Sequence, residues 1–282
     1  MPDQKVAVIT GSTGGIGSAI ASQLAAEGWA LILVNRNKTK AETQMDALGG
    51  TSVTLIEADL MDIAQIKRAG AEILERHPRI DALYNNSGVL TSQRVMSKQG
   101  HESNYAVNVL APYIMVQALR QGLSRPEGSG RSMVVNTTSS AQSSVKSLDV
   151  SALSDPAEIG GLMGAYAASK LALTTVGSAM ALALKDDGIL LRSVDPGPVR
   201  TPMTRNNDAM PGFLRLIAPL IFKAPDKQAR KMIDAANPER YGGRTGIYIS
   251  DGKEKPLPKL ANDPALQAAL MKKLSEDAKG AE

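Results

Sequence analysis

The sequence lacks cysteine and has few aromatic residues. Its 282 residues include no Cys, one Trp and two Phe, and aromatic side chains make up 3% of the chain. The lack of cysteine excludes disulfides and thiolate metal sites. It is also typical of the reducing cytoplasm, which is the location we expect for this protein. With so few aromatic side chains, the core has to be built mainly from aliphatic residues.

Long runs of one kind of residue are also missing. The 32 basic and 28 acidic residues give a net charge of +4 without a long basic run, so the sequence does not predict nucleic-acid binding. No apolar stretch reaches the roughly 18 residues of a spanning helix, and the N-terminus has no signal-peptide hydrophobic segment; we therefore expect no stable membrane insertion. The two histidines, His77 and His101, have no partners at metal-ligand spacing, and we expect no metal site.

Six short apolar segments that end in turn residues are predicted to be β-strands: KVAVITG, WALILVNRN, SVTLIEADL, IDALYNNSG, RSMVVNTTSS and ILLRSVDPGPV. The segments between them have helical spacing, and the two longest are HESNYAVNVLAPYIMVQALRQGL and YAASKLALTTVGSAMALALKDDG. Strands that are apolar almost throughout and alternate with helices indicate a parallel sheet with helices on both faces. The sequence therefore predicts an α/β protein, a single doubly wound (Rossmann-type) domain over residues 1–282.

A glycine-rich loop, TGSTGGIG from Thr10 to Gly17, joins the first predicted strand to the first helix. Gly11, Gly15 and Gly17 permit a tight turn and let backbone N–H groups approach a pyrophosphate, whose negative charge the helix N-terminus favours. A glycine-rich turn without a ligand is the alternative. The position of the loop between a strand and a helix favours a dinucleotide site.

The end of the second predicted strand bears on the choice of cofactor. A site for NAD usually has a carboxylate there that holds the ribose 2′-hydroxyl, whereas this chain has Asn35 and Arg36. Because a guanidinium can hold a 2′-phosphate with two hydrogen bonds, we predict NADP(H) as the cofactor. The alternative is that Arg36 is an ordinary surface arginine. Asp59, after the third strand, is placed to accept a hydrogen bond from the adenine amino group.

One predicted helix carries a possible acid–base pair. Tyr166 and Lys170 are four residues apart in GAYAASKLAL, so their side chains share one helix face. A lysine ammonium beside a phenol favours the phenolate and lowers the tyrosine pKa from its usual value of about 10. A solvated helix face without chemistry is the alternative for this pair alone.

Six short motifs resemble those of the short-chain dehydrogenase/reductase family. They are, in order, TGSTGGIG, NNSG at 85–88, NYAVNVLAPY, VVNTTSS, YAASK and DPGPVRT at 195–201. The resemblance runs nearly from end to end of the chain. The long gap between Ser139 and Tyr166 and the segment from Tyr241 onward are similar to the retinol-dehydrogenase-like branch of the family. The chain departs from the family at Ser87, where alanine is usual, and we expect the turn to keep its shape.

The resemblance implies an enzyme that interconverts an alcohol and a carbonyl on a small molecule. It implies that Tyr166 is the general acid in reduction and the general base in oxidation. Ser139 would then donate a hydrogen bond to the substrate oxygen, with Ser140 as the alternative in NTTSS. Lys170 would also hold the nicotinamide ribose, and Asn108 would brace a water-mediated proton path to Lys170.

The cofactor site implied by the glycine loop and by the resemblance lies in loops that follow predicted strands. Its residues are Gly11, Ser12, Thr13, Gly15, Ile16, Gly17, Asn35, Arg36, Asp59, Leu60, Asn86, Ser87, Gly88, Tyr166, Lys170, Pro196, Gly197, Val199 and Thr201.

The stretch PGFLRLIAPLIF at 211–222 has the apolar spacing of a helix. In the family a variable segment after Thr201 covers the substrate, so we expect a lid at 202–240, a C-terminal extension at 241–282 and a lipophilic substrate. Packing against the domain, and shallow contact with a membrane or a partner, are alternative interpretations of the same stretch.

The sequence leaves other interpretations open. The same tyrosine and lysine serve epimerases and dehydratases, although their sugar-nucleotide-binding members usually have a larger C-terminal domain. A non-catalytic NADP(H)-binding regulatory protein is the alternative from a different class. The resemblance implies a homodimer or homotetramer, and the long tail after Lys255 leaves a monomer open.

Overall fold

The structure is a computed structural model that describes residues 4–50, 52–160, 164–199 and 224–280. The described residues form one eight-stranded sheet with helices on both faces. Its strands are β1 (Val6–Thr10), β2 (Ala30–Asn35), β3 (Val53–Glu57), β4 (Ala82–Asn85), β5 (Ser132–Thr137), β6 (Ile189–Asp195), β7 (Ile247–Ser250) and β8 (Lys253–Lys255). They lie in the order β3-β2-β1-β4-β5-β6-β7-β8 and pair in parallel, except for β7 with β8. The six predicted strands and the doubly wound α/β fold are confirmed.

The last two strands lie in the predicted C-terminal extension. β7 pairs in parallel with β6, and β8 turns back antiparallel to β7. They have four and three residues, too few for their side-chain pattern to predict a strand. Their connection, Asp251–Gly252, has positive φ at both residues, 50° and 80°. An Asp-Gly pair of this kind is the sequence signal of a hairpin and could have predicted these strands.

The helices cover both faces of the sheet. In the described ranges they are α1 (Gly15–Ala26), α2 (Lys38–Ala47), α3 (Ile63–Arg76), α4 (Ser103–Tyr105), α5 (Ala111–Leu123), α6 (Ala165–Lys185), α7 (Pro225–Ala235) and α8 (Pro264–Asp277).

The single helix predicted from His101 is present from Ser103 to Leu123, but it is not α-helical throughout. A single turn of π-helix (the π-turn) over Ala106–Leu110 joins α4 to α5. The fully buried carboxylate of Glu102 caps α4 by accepting hydrogen bonds from its first N–H groups, so the helix begins after this residue. π-Turns are frequent at functional sites, and this one carries Asn108.

Two apolar cores lie on the two faces of the sheet. Alternate side chains of β1 divide between them: Ala7 and Ile9 face α1 and α7, and Val8 faces α3, α5 and α6. Helix α8 joins the core of α3, α5 and α6 through Leu270 and Leu274, both fully buried. Because both faces of the sheet are covered, its central strands are apolar at nearly every position.

The predicted lid is only partly described. Residues 200–223, which include Thr201 and the apolar stretch at 211–222, lie outside the described residues. Beyond them, α7 packs against α1, and α8 packs against α6. The Tyr105 hydroxyl donates a hydrogen bond to the Asp277 carboxylate at 2.6 Å, which fixes the end of α8. The lid at 202–240, the boundary at 241 and the oligomeric state stay predictions.

Helix α6 corrects one expectation about apolar stretches. Of the helices in the described residues, α6 alone has the length and the apolar composition of a membrane-spanning helix. However, 72% of its apolar window is buried inside the protein. This degree of burial, together with its packing on β6, is what a core helix requires.

A buried arginine ties β6 to the segment after α7. Arg192 is fully buried, and its guanidinium donates hydrogen bonds to the carbonyl oxygens of Ala235, Asn237, Pro238 and Arg244 at 2.7–3.0 Å. Burial lowers its pKa to about 10, so the side chain remains charged at neutral pH. The side chain satisfies four backbone acceptors at the edge of the core that faces α1 and α7.

Replacing Arg192 with methionine should destabilise the fold. The variant leaves the four carbonyl oxygens without their donor, and each unsatisfied buried acceptor costs about 1–3 kcal/mol. Because part of this region is open to water, we expect a total loss on the order of 3 kcal/mol in the free energy of unfolding, measured by urea denaturation. The control is Arg240→Met, an arginine 51% exposed in the same region. Equal unfolding midpoints for the two variants would contradict this account.

Candidate active site

A cavity of about 970 Å³ opens at the carboxyl ends of the parallel strands. The loops after β1 to β6 all contribute to its lining. In an open α/β sheet, ligands bind at this edge, at the point where the strand order reverses. Here that point lies between β1 and β4, from which successive strands are added in opposite directions. The volume accommodates a dinucleotide with space left for a small substrate.

The glycine loop leaves room for a phosphate. Gly11 and Gly15 have φ values of 65° and 56°, a conformation that other residues adopt only with strain. Helix α1 begins at Gly15 without a side-chain cap and without an acidic residue in its first turn. Its first N–H groups therefore point into the loop without an intrahelical partner, the arrangement that binds a phosphate. Thr13 and Ile16 also line the cavity.

Gly17 has a packing role. A Cβ at this position would collide with the carbonyl oxygen of Gly11 and lie 2.5 Å from Nδ2 of Asn86. The same Asn86 amide donates hydrogen bonds to the carbonyl oxygens of Thr10 and Gly11, both at 3.2 Å. The loops after β1 and β4 are thus tied together at the place where α1 starts, and Gly17 itself does not line the cavity.

The loop after β4 is fixed by one hydroxyl. Oγ1 of Thr10 accepts hydrogen bonds from the N–H groups of Asn86 and Ser87, both at 3.0 Å. The serine that departs from the family lies against Gly11, where a Cβ would come within 2.6 Å of its Oγ. The absence of a side chain at Gly11 accommodates this serine. Asn86, Ser87 and Gly88 all line the cavity.

A buried polar cluster supports the glycine loop from below. Ser12 is fully buried and does not line the cavity. Its Oγ donates a hydrogen bond to Gln44 at 2.9 Å and accepts one from Nδ2 of Asn35 at 2.8 Å. The cluster joins the loop to β2 and α2, so Ser12 supports the cofactor site from behind. Gln44 carries no recognisable signal in the sequence.

Two cations lie beside the cavity at the end of β2. Arg36 and Lys40 are exposed, and both line it. The side chain of Asn37 caps α2 by accepting a hydrogen bond from the Lys40 N–H, which holds the first turn of α2 next to Arg36. Lys40 is missing from the sequence prediction, although its place one helical turn after the strand end could have indicated it. After the neighbouring strand β3, Asp59 and Leu60 also line the cavity, and Asp59 accepts a hydrogen bond from the Met61 N–H.

Tyr166 and Lys170 lie in the first turns of α6 and line the cavity. They are 9% and 3% exposed. The Lys170 Nζ lies 5.7 Å from the centre of the Tyr166 ring and donates a hydrogen bond to the Thr137 carbonyl at 2.9 Å. The predicted proximity of the two side chains is therefore present, with the end of β5 orienting the ammonium.

The pKa values of the pair correct one prediction. Burial raises the pKa of Tyr166 to about 12, against the lowering effect of a hydrogen bond from Ser139. Burial also lowers the pKa of Lys170 to about 8. We expected Lys170 to lower the tyrosine pKa below its usual value. The opposite shift arises because burial of the phenol outweighs the other effects.

Of the two candidate serines, Ser139 is better placed. Its hydrogen bond with Tyr166 brings both hydroxyls to the same part of the cavity. Ser139 also begins a short 3₁₀ turn by accepting a hydrogen bond from the Ala141 N–H at 3.3 Å. Ser140 lines the cavity but is exposed. The geometry favours Ser139.

Asn108 lies behind the cavity. It is fully buried in the π-turn; its Oδ1 accepts a hydrogen bond from the Val89 N–H, and its Nδ2 donates to the Val89 carbonyl and to the Ser169 hydroxyl. The structure therefore brings Asn108 into contact with Ser169, the residue before Lys170. Asn108 itself does not line the cavity. A proton path to Lys170 stays a prediction.

The loop after β6 closes the site. Pro196, Gly197 and Val199 line the cavity, and Gly197 has a φ of 84°. Thr201, predicted beside them, lies outside the described residues. In the described part of the chain, no group of three or more His, Cys, Asp or Glu residues is arranged to hold a metal ion.

The fold and the site together define a dinucleotide-binding α/β protein with a buried tyrosine–lysine pair. A family model described as short chain dehydrogenase matches residues 5–212. The chain belongs to this family. It is therefore an oxidoreductase that acts on alcohols or carbonyls with NAD(H) or NADP(H).

Comparison with known proteins identifies the branch. The chain is 29% identical to polyprenol dehydrogenase of Homo sapiens over 98% of its own length and 85% of the relative. It is 27% identical to retinol dehydrogenase 13 of Mus musculus, over 89% and 77% of the two chains. A solved structure, a blue fluorescent protein from a metagenomic library in complex with NADPH, is 28% identical with a TM-score of 0.68, over 87% and 95% of the chains. The protein is a member of the retinol-dehydrogenase-like branch.

Proposed function

We propose that the protein is an NADP(H)-dependent oxidoreductase that interconverts an alcohol and a carbonyl on a small lipophilic molecule, with Tyr166 as general acid and base. The observation that carries the proposal is the juxtaposition of Ser139, Tyr166 and Lys170 in the same cavity as the glycine loop. A proton donor, a hydrogen-bond donor and a cation thus share one cavity, which supports the proposal that the nicotinamide and the substrate meet there.

The residues of the cavity fit a dinucleotide that carries a 2′-phosphate. The uncapped start of α1 fits the pyrophosphate. Arg36 and Lys40 supply two positive charges at the end of β2, where a cofactor without the phosphate would be held by a carboxylate. A bidentate guanidinium and a lysine ammonium both bind phosphate oxygens well. The cofactor, when bound, supplies or accepts the hydride.

The protein's own residues then move one proton. In reduction, Tyr166 donates its hydroxyl proton to the carbonyl oxygen; in oxidation, the phenolate takes the proton of the alcohol. In the free protein the Ser139 hydroxyl donates a hydrogen bond to Tyr166, which lowers the pKa of Tyr166. When a substrate is bound, the single hydroxyl proton of Ser139 is donated to the substrate oxygen instead and fixes its position.

The pKa values suit proton donation. Burial holds the pKa of Tyr166 at about 12, so the phenol is protonated at neutral pH and ready to act as an acid. Lys170, with a pKa of about 8, is mostly charged at neutral pH and stabilises the phenolate left after proton transfer. Its hydrogen bond to Thr137 keeps the ammonium directed into the site.

A lipophilic substrate suits the walls around the reacting groups. Val89, Leu90, Val107 and Ala141 line the same cavity as the serine and the tyrosine. Polyprenol and retinol, in the names of two relatives, are alcohols of this apolar kind. We therefore propose an apolar aldehyde, ketone or alcohol as the substrate class.

The cofactor proposal predicts a loss of phosphate recognition in two variants. Arg36→Ala and Lys40→Ala should each weaken NADPH binding about tenfold, because each removes a charge-assisted hydrogen bond to the 2′-phosphate. The affinity for NADH should change by less than about threefold, since the adenosine ribose of NADH lacks the 2′-phosphate. Isothermal titration calorimetry with both nucleotides measures the effect.

The matched control for these variants is Lys38→Ala. Lys38 belongs to α2, as Lys40 does, and its side chain is 67% exposed, but it does not line the cavity. We expect its NADPH affinity to equal that of the wild type. Tighter binding of NADH than of NADPH by the wild-type protein would refute the assignment of Arg36 and Lys40 while leaving the oxidoreductase intact.

A further inference from the structure

A buried carboxylate faces the same cavity as the tyrosine–lysine pair. Asp195 is the last residue of β6, it is 4% exposed, and it lines the cavity together with Tyr166 and Lys170. The proposed proton transfer does not use it. Because a buried charge is costly unless its surroundings stabilise it, a carboxylate at this place calls for an explanation.

Three donors hold the Asp195 carboxylate. The Gly197 N–H donates a hydrogen bond to Oδ1 at 2.9 Å, and the Ser250 hydroxyl donates to Oδ2 at 3.1 Å. A backbone hydrogen bond from Ser140 adds a third. Burial raises the pKa of Asp195, and these donors counteract that effect by favouring the ionised form. They also fix the carboxylate in orientation.

The titratable and charged groups around Asp195 come from α6, α7, β7 and the turn after β7. They are Tyr166 and Lys170 of α6, Tyr248 of β7, Asp251 of the β7–β8 turn, and Lys231 of α7, which is paired with Asp251.

The charge of Asp195 acts on both members of the catalytic pair. It raises the pKa of Lys170 against the opposite effect of burial, and it raises the pKa of Tyr166 in the same direction as burial. A negative charge favours the protonated form of each group: the ammonium because it is positive, and the phenol because it is neutral.

We propose that Asp195 is a positioning residue that keeps the neighbouring Lys170 charged, so that the ammonium is available to stabilise the phenolate that Tyr166 becomes after proton transfer. The role of the pair in proton transfer rests on the proposed function. The effect of the Asp195 charge on the pair does not, and it can be measured without turnover.

The variant Asp195→Asn removes the charge and keeps the shape. Its amide oxygen can still accept from the Gly197 N–H, and its NH₂ can donate to the Ser250 hydroxyl, which then acts as an acceptor. The hydrogen bonds with Gly197 and Ser250 are thereby retained. In the Asp251→Asn control, a carboxylate is lost from the exposed turn beyond β7.

The direct test is a pH titration of protein labelled with ¹³C at lysine Cε, followed by NMR. The Lys170 signal is assigned by its absence in Lys170→Met. We expect the Lys170 pKa to fall by about one unit in Asp195→Asn, the size expected for loss of a nearby opposite charge, and to stay within about 0.3 units in Asp251→Asn. An unchanged Lys170 pKa in Asp195→Asn would overturn the proposal.

Turnover gives a second readout if the proposed function is right. The alkaline limb of the pH profile for NADPH-dependent reduction should move to lower pH by about one unit in Asp195→Asn, because the pair loses its proton more easily. A lower rate with an unmoved limb would assign Asp195 a merely structural role. A wild-type protein without activity would refute the proposed function, while the NMR titration would still decide what the charge does.

Discussion

Tyr166→Phe should lose turnover by about 1,000-fold while it binds NADPH as tightly as the wild type. The substitution removes one hydroxyl from a side chain that is 9% exposed and keeps the ring beside Lys170. Without the hydroxyl, the substrate oxygen has no acid of suitable geometry, so the chemical step slows. Steady-state rates at saturating cofactor, together with calorimetric NADPH affinity, separate the two effects.

The matched control is Tyr113→Phe, which removes a hydroxyl from a partly buried tyrosine on α5 that packs against the core and does not line the cavity. We expect wild-type rates from this variant. If Tyr166→Phe were as active as Tyr113→Phe, the phenol would not be the acid, and the mechanism proposed for this site would have to be abandoned.

Gly17→Ala should weaken NADPH binding by roughly 100-fold and also destabilise the fold. The added methyl group would collide with the Gly11 carbonyl and come within 2.5 Å of the Asn86 amide. The glycine loop would have to shift, and overpacking of this kind costs about 1–3 kcal/mol. Since the loop and the start of α1 form the proposed phosphate site, the shift also misplaces the N–H groups. Calorimetry and thermal unfolding measure the two losses.

Gly70→Ala separates the two losses. A Cβ at Gly70, on α3, would come within 2.5 Å of the Ala118 Cβ on α5, a collision of similar size away from the cavity. This variant should lose stability and keep its NADPH affinity. Equal losses of affinity in both variants would mean that the effect of Gly17→Ala is a general consequence of destabilisation, and the loop would lose its special role.

The parts of the fold that the sequence predicts are those with a local signal. β1 to β6 are continuous apolar runs because both faces of the sheet are covered, so their pattern identifies them without knowledge of the partners. The Asp251–Gly252 turn is the local signal for β7 and β8, but the pairing of β7 with β6 joins segments far apart along the chain and has no local pattern. The π-turn around Asn108 depends in the same way on contacts with Val89 and Ser169.

The site was predictable to the extent that side-chain type and spacing determine it. The pairing of Tyr166 with Lys170 follows from helical geometry and is present. The direction of the Tyr166 pKa shift was not predictable, because it depends on burial, which needs the three-dimensional packing around α6. Asp195 illustrates the same limit: in the sequence it is one residue of the DPGPVRT motif, and its place in the same cavity as Tyr166 and Lys170 depends on the packing of α6 on β6.

The most direct test of the account is a transfer experiment with the wild-type protein. NADPH that carries deuterium at the transferable position of the nicotinamide is mixed with a panel of apolar aldehydes and ketones, retinal and a polyprenal among them, and the products are analysed by mass spectrometry. We predict an alcohol that has gained one deuterium for each NADPH consumed. Tight binding of NADPH without deuterium in any product, and without oxidation of the matching alcohols by NADP⁺, would contradict the account and indicate an NADP(H)-binding regulatory protein.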